Sequence, residues 1–84
     1  MNKNFENWFV ENDNEEIKIY REVLSRSFKK NDIATLSVAI YGNKYPVLLT
    51  IRGKNCSPFS LSFVDYKKAE ECLNYIFICL EDVF

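Results

Sequence analysis

The sequence predicts an α+β domain with a short N-terminal helix, a four-stranded antiparallel β-meander and a long C-terminal helix packed on one sheet face. Three observations predict it. Aromatic residues recur at spacings of three and four near the start, apolar and polar residues alternate through the middle, and a helical apolar period returns after residue 65. With 84 residues, 48% of them hydrophobic, the chain can build one core but not two ordinary domains, so residues 1–84 are read as a single domain.

Phe5, Trp8 and Phe9 carry the first spacing and predict one or two helical turns over residues 4–12. Residues 12–16 read as a polar turn. From Ile17 the period changes to two, with Ile17, Ile19 and Val23 on one parity and Lys18, Tyr20 and Glu22 on the other, which predicts a strand running to Arg26 or Phe28. After the polar connection 29–32, Leu36, Val38 and Ile40 alternate with Thr35, Ser37, Ala39 and Tyr41. Gly42, Asn43, Lys44 and Tyr45 supply a reversal, Pro46 stands where a strand can begin, and 47–52 is the return strand. Residues 53–58 turn again, and Phe59, Leu61 and Phe63 mark the fourth strand. Asp65 is placed to cap a helix with apolar positions Ala69, Cys72, Leu73, Ile76, Leu80 and Val83.

The composition excludes much chemistry. There is no histidine, hence no Ser-His-Asp or Cys-His arrangement, and neither a glycine-rich phosphate loop nor a zinc-spaced thiol pair occurs. The neighbouring acids Glu15-Glu16, Glu70-Glu71 and Glu81-Asp82 read as solvated surface groups, so the expectation is a protein that is not an enzyme and takes no cofactor or metal. Residues 1–16 hold no continuous apolar stretch long enough for a signal peptide and the apolar run 72–80 is too short to cross a bilayer, so the expectation is a cytoplasmic protein without a membrane partner. Cys56, Cys72 and Cys79 are then reduced thiols, the last two sharing a helix face as small buried hydrophobes.

The formal charge of −1 hides a segregation. Residues 1–16 hold one lysine against five acids, and residues 69–84 hold four acids and no cation. Between them ten Lys and Arg oppose three acids. A basic middle attracts phosphates. The outward strand parity adds Lys18, Tyr20, Thr35, Ser37, Tyr41, Thr50, Arg52, Ser60 and Ser62, a mixture that suits single-stranded nucleic acid and equally suits the wet side of a one-faced sheet. The final helix is apolar nearly all round, leaving Tyr75, Phe77, Ile78, Cys79 and Phe84 beyond what one sheet face needs. Either the aromatic N-terminal segment covers them or a second copy does, which makes Tyr75, Phe77, Ile78 and Phe84 a candidate homodimer or partner interface.

The segment Leu36-Ser-Val-Ala-Ile-Tyr-Gly-Asn-Lys-Tyr-Pro46, then Leu49-Thr-Ile-Arg52, then Phe59-Ser-Leu-Ser-Phe63 leading into a long helix, resembles the positive cofactor four family of single-stranded DNA-binding proteins and its small bacterial relatives. The resemblance spans about residues 17–80. It implies a curved four-stranded sheet before a helix, dimerisation largely through the helices, and DNA contacts at Lys18, Tyr20, Tyr41, Lys44, Arg52 and Lys54. The chain departs from the family in its Ser57-Pro58 context, where a glycine is usual before the fourth strand, and in its additional acidic start. In size and composition the chain also resembles phage-encoded inhibitors of bacterial defence, including anti-CRISPR proteins, which occlude a larger host protein. In that reading Glu6, Glu11, Asp13, Glu15 and Glu16 imitate nucleic-acid phosphates.

Overall fold

The computed structural model describes residues 2–40 and 47–81. Tyr41, Lys44, Val83, Phe84 and the reversal expected at 42–46 lie outside them. Among the described residues, the expected four strands and two helices are corrected to seven strands in two antiparallel sheets and one α-helix, which follows the last strand.

The first correction lies where the helix over 4–12 was expected. β1 (Asn2–Phe5) and β2 (Trp8–Asn12) form a hairpin around Glu6-Asn7. Phe5 pairs with Trp8 across it, and both rings are buried. A two-residue hairpin brings residues i and i+3 together much as one helical turn does, so the aromatic spacing fits both structures. Phe9 separates them: in the hairpin it falls on the opposite face and stays 39% exposed.

The second correction splits the long strand expected from Ile17. β3 (Glu16–Arg21) and β4 (Leu24–Lys29) meet at Glu22-Val23. Neither turn residue is Gly, Asn or Pro, the usual signals of a break. Val23, expected on the same strand parity as Ile17 and Ile19, is 95% exposed at the tip. Glu6 and Glu22 both lead their turns at positive φ, 55° and 49°, the backbone that tight hairpins demand and that glycine adopts most easily.

The four strands form one sheet in the order β1-β2-β3-β4. A 3-10 turn, Lys30–Asp32, leads to the second sheet of β5 (Ile33–Ile40), β6 (Val47–Gly53) and β7 (Phe59–Phe63), in that order. These three strands lie where the alternation placed them. Beyond β6, the Lys54 N–H donates to Asp32 O at 2.8 Å, and a side chain at Gly53 would collide with Cys56 and crowd that carbonyl.

Helix α1 (Tyr66–Glu81) starts as the sequence predicts, with Asp65 Oδ1 accepting from the Lys67 N–H at 3.0 Å. Ala69, Cys72, Ile76 and Cys79 are buried, flanked by the partly buried Leu73, Tyr75 and Leu80. The helix packs on β5, β6 and β7 and also on β1, so it needs a wider apolar face than a helix on one sheet. The Phe5 and Tyr75 rings meet at 5.6 Å between centroids. Residues Phe77 and Ile78 remain exposed.

The sheets share one core, with Val10, Ile17 and Ile19 from one and Leu49, Ile51 and Leu61 from the other. Their junction runs along β7. Trp8 Nε1 donates to Ser62 O at 2.9 Å. The Glu6 carboxylate accepts from the Val64 N–H at 3.0 and 3.1 Å and from the Asp65 N–H at 2.8 Å. These side chains satisfy backbone groups that a neighbouring strand would otherwise pair. Further along, Arg26 Nη2 donates to Ser57 O at 2.8 Å.

Candidate nucleic-acid interface

The outward face of the four-stranded sheet is set by its register. One row runs Asn4, Phe9, Tyr20, Ser25, and the next carries Glu11, Lys18 and Ser27. Phe9 and Tyr20 are cross-strand partners with rings stacked at 5.3 Å and 13°. Lys18 Nζ lies 5.5 Å from the Tyr20 ring centroid. Such a pair steadies a sheet by about 0.2–1 kcal/mol; Tyr20 is half-buried, and the exposed Phe9 ring is also a surface on which an unpaired base can stack. The same face carries Glu11 opposite Lys18 and Glu16 opposite Lys29, so its charge is balanced.

Arg52 lies on the other sheet, at the end of β6 opposite Thr35, and Lys54 follows the strand. Its neighbours are hydroxyls: Thr50 Oγ1 and Ser60 Oγ are 3.1 Å apart, and Ser37 pairs with Thr50. The outward positions of β5, β6 and β7 hold no acid among the described residues. The structure therefore joins Lys18 and Tyr20 on one sheet and puts Arg52 and Lys54 on or beside the other; Tyr41 and Lys44 lie outside the described residues.

Several cations of the basic middle turn away from solvent. The Arg21 guanidinium sits 4.4 Å from the Trp8 ring centroid, and that of Arg26 lies over Phe28 and Phe59 at 5.0 and 5.7 Å. Lys30 is buried. These contacts shield core rings and thin the positive surface that the charge count suggests. Phe9, the residue with most to offer a base, is missed by a helical reading. Its signal was the alternation of Trp8, Val10 and Asn12 with Phe9 and Glu11.

Of the candidate partner residues, Tyr75 is half-buried against Phe5, with Lys3 Nζ 5.4 Å from its ring centroid, while Phe77 and Ile78 face solvent. Burial pushes the Cys72 thiol up to about 12, with Cys79 nearby adding to the rise. Tyr75 is raised by burial first, then by the Cys79 thiol and a hydrogen bond to it. Cys56 is exposed. A cleft of about 240 Å³ is lined by Glu15, Glu16, Lys29, Lys30 and Asn31, and another of about 240 Å³ separates β1 from α1. Among the described residues no three or more metal-binding side chains cluster, and no helix is long and apolar enough to cross a membrane. Comparison of the chain with protein-family models, curated proteins and solved structures finds no match.

Proposed function

We propose that this is a non-catalytic cytoplasmic protein that holds single-stranded nucleic acid on the outward face of its four-stranded sheet. Phe9, 39% exposed and stacked on the half-buried Tyr20, carries the proposal. Bases stack on the rings and Lys18 meets a phosphate. Because Glu11 and Glu16 balance Lys18 and Lys29, binding is led by stacking. Its salt dependence is shallow, corresponding to about one or two phosphates at a log–log slope of roughly −0.7 each.

The test is an anisotropy titration of the full chain with a labelled single-stranded oligonucleotide and with its duplex. Single strands bind more tightly, and Phe9→Ala or Tyr20→Ala weakens them by about 1–3 kcal/mol, the usual worth of a stacked base. Arg52→Ala has a smaller effect. No binding at low salt, or equal affinity for duplex, overturns the proposal.

A second reading has its own support. Asp13, Asn14, Glu15 and Glu16 line one solvent-facing hollow at the β2–β3 turn, with Glu11 on the adjoining strand. That end of the molecule can occupy a basic groove of a host protein as a phosphate mimic. Glu6 drops out of this set because its carboxylate is used within the fold. An occluding inhibitor ignores free oligonucleotides and co-purifies with its protein target.

A further inference from the structure

The two sheets end in four strand edges, and three of them carry features that discourage pairing. β1 bears Lys3, and β4 bears Arg26 and Lys29. At β7 the Trp8 and Glu6 side chains already hold edge backbone groups. β5 differs. Its eight residues, Ile-Ala-Thr-Leu-Ser-Val-Ala-Ile, include no charge, proline or glycine, and among the described residues only β6 pairs with it, on one side. The register shift between Ile33 and Thr35 leaves the run from Thr35 to Ile40 regular.

We propose that two copies of this chain pair antiparallel through their β5 edges, about a two-fold axis at Ser37. The occupant is argued from self-complementarity. This register sets Ser37 against Ser37 of the second copy, Thr35 against Ala39 and Leu36 against Val38, so apolar residues meet on the core side, small and hydroxyl residues meet on the outward side, and no like charges oppose. The burial pattern fits. Leu36 and Val38 face the core but stay half-buried, whereas their β6 partners Ile51 and Leu49 are fully buried. A second β5 extends the sheet over that margin.

The helix adds area on the same side. Tyr75 and Ile78 border β1, together with Lys3 and Phe5. Tyr66, Leu73 and Phe77, spaced by seven and four, lie on the opposite flank of α1. Tyr66 and Phe77 are 42% and 44% exposed. β1 joins the second sheet at its β7 side, so this other flank lies toward β5, against which α1 also packs. Pairing the edges brings the two helical flanks alongside each other. A short strand edge alone falls below the roughly 1,200 Å² that specific stable interfaces bury in total, so strand and flank act together and the dimer is concentration-dependent.

Sedimentation of the full chain between about 10 µM and about 1 mM tests this across the range of modest affinities. The wild type moves from monomer to dimer. Ser37→Lys and Ser37→Glu, at an exposed position, each stay monomeric because like charges meet at the axis, while an equimolar mixture of the two recovers the dimer. Circular dichroism checks that each variant is folded. In a Cys56→Ser background, Ser37→Cys cross-links to itself under mild oxidation, a readout that holds even if the charged variants do not fold. A wild type monomeric throughout, charged variants that dimerise alone, or a Ser37→Cys chain that does not cross-link overturns the proposal. Oligonucleotide binding by the outward face of the other sheet is read separately and survives its failure.

Discussion

The two hairpins of the four-stranded sheet start alike and end differently. Each turns on two residues led by a glutamate at positive φ. At β1–β2 that glutamate reaches across the molecule to the amides of Val64 and Asp65, and the next strand begins with the buried Trp8. At β3–β4, Glu22 is exposed and bonds to no other described residue, while Val23 projects into water. The same backbone strain is therefore offset by tertiary bonds in one turn and left uncompensated in the other. A non-glycine residue at positive φ is tolerable when its side chain gains something that glycine cannot supply.

Substitutions can break that contrast, beginning with the largest effect. Trp8→Ala removes a buried ring, its bond to Ser62 O and the platform under Arg21, and is expected to cost about 3–5 kcal/mol in denaturant unfolding; Val23→Ala, at the tip of the other hairpin, is expected to cost under about 0.5 kcal/mol. Equal losses would mean that both hairpins are anchored.

Alkali probes the packing beneath the anchored hairpin and spares both turns. The Cys72 thiol has an ordinary value of 9.0 and a folded value of about 12, so the fold favours its protonated form. That contribution is fully present below pH 9 and is lost as pH rises toward 12, with Tyr75 acting in the same direction. Thermal unfolding should show stability falling on the order of 1 kcal/mol per pH unit above 9, and Cys72→Val should flatten the fall.

Glycine substitutions give the sharpest comparison because the two signs differ. Glu6→Gly relieves the backbone but strips the acceptor from two amides, for a net loss of about 1–2 kcal/mol and faster hydrogen exchange at Val64 and Asp65. Glu22→Gly relieves the backbone and loses no bond, so it gains about 0.5 kcal/mol after glycine's own entropy is counted. A gain at both positions would show the Glu6 bonds to be of no consequence.

Legibility followed the locality of each signal. The Asp65 cap and the helix after it, and the alternation of β5, β6 and β7, could be read directly because each depends on neighbours in sequence. The outward placement of Lys18, Tyr20 and Arg52 was legible residue by residue, but their grouping was not. Nothing in the period of two says which strands share a sheet, and the structure assigns Lys18 and Arg52 to different ones. The apolar excess of α1 was real, yet Tyr75 and Cys79 are covered by the chain itself, with β1 meeting Tyr75.

By itself the sequence determined an α+β chain with a capped C-terminal helix, three of its strands and a basic middle between acidic ends, because periodicity, capping and charge are local properties. Tertiary structure alone decided that Phe5 and Trp8 pair across a hairpin, that Glu22 and Val23 interrupt a strand, and that there are two sheets. A spacing of three fits a helical turn and a two-residue hairpin equally well. The choice falls to long-range contacts, here those of Glu6 and Trp8 with the end of β7 and the start of α1, which no local pattern encodes.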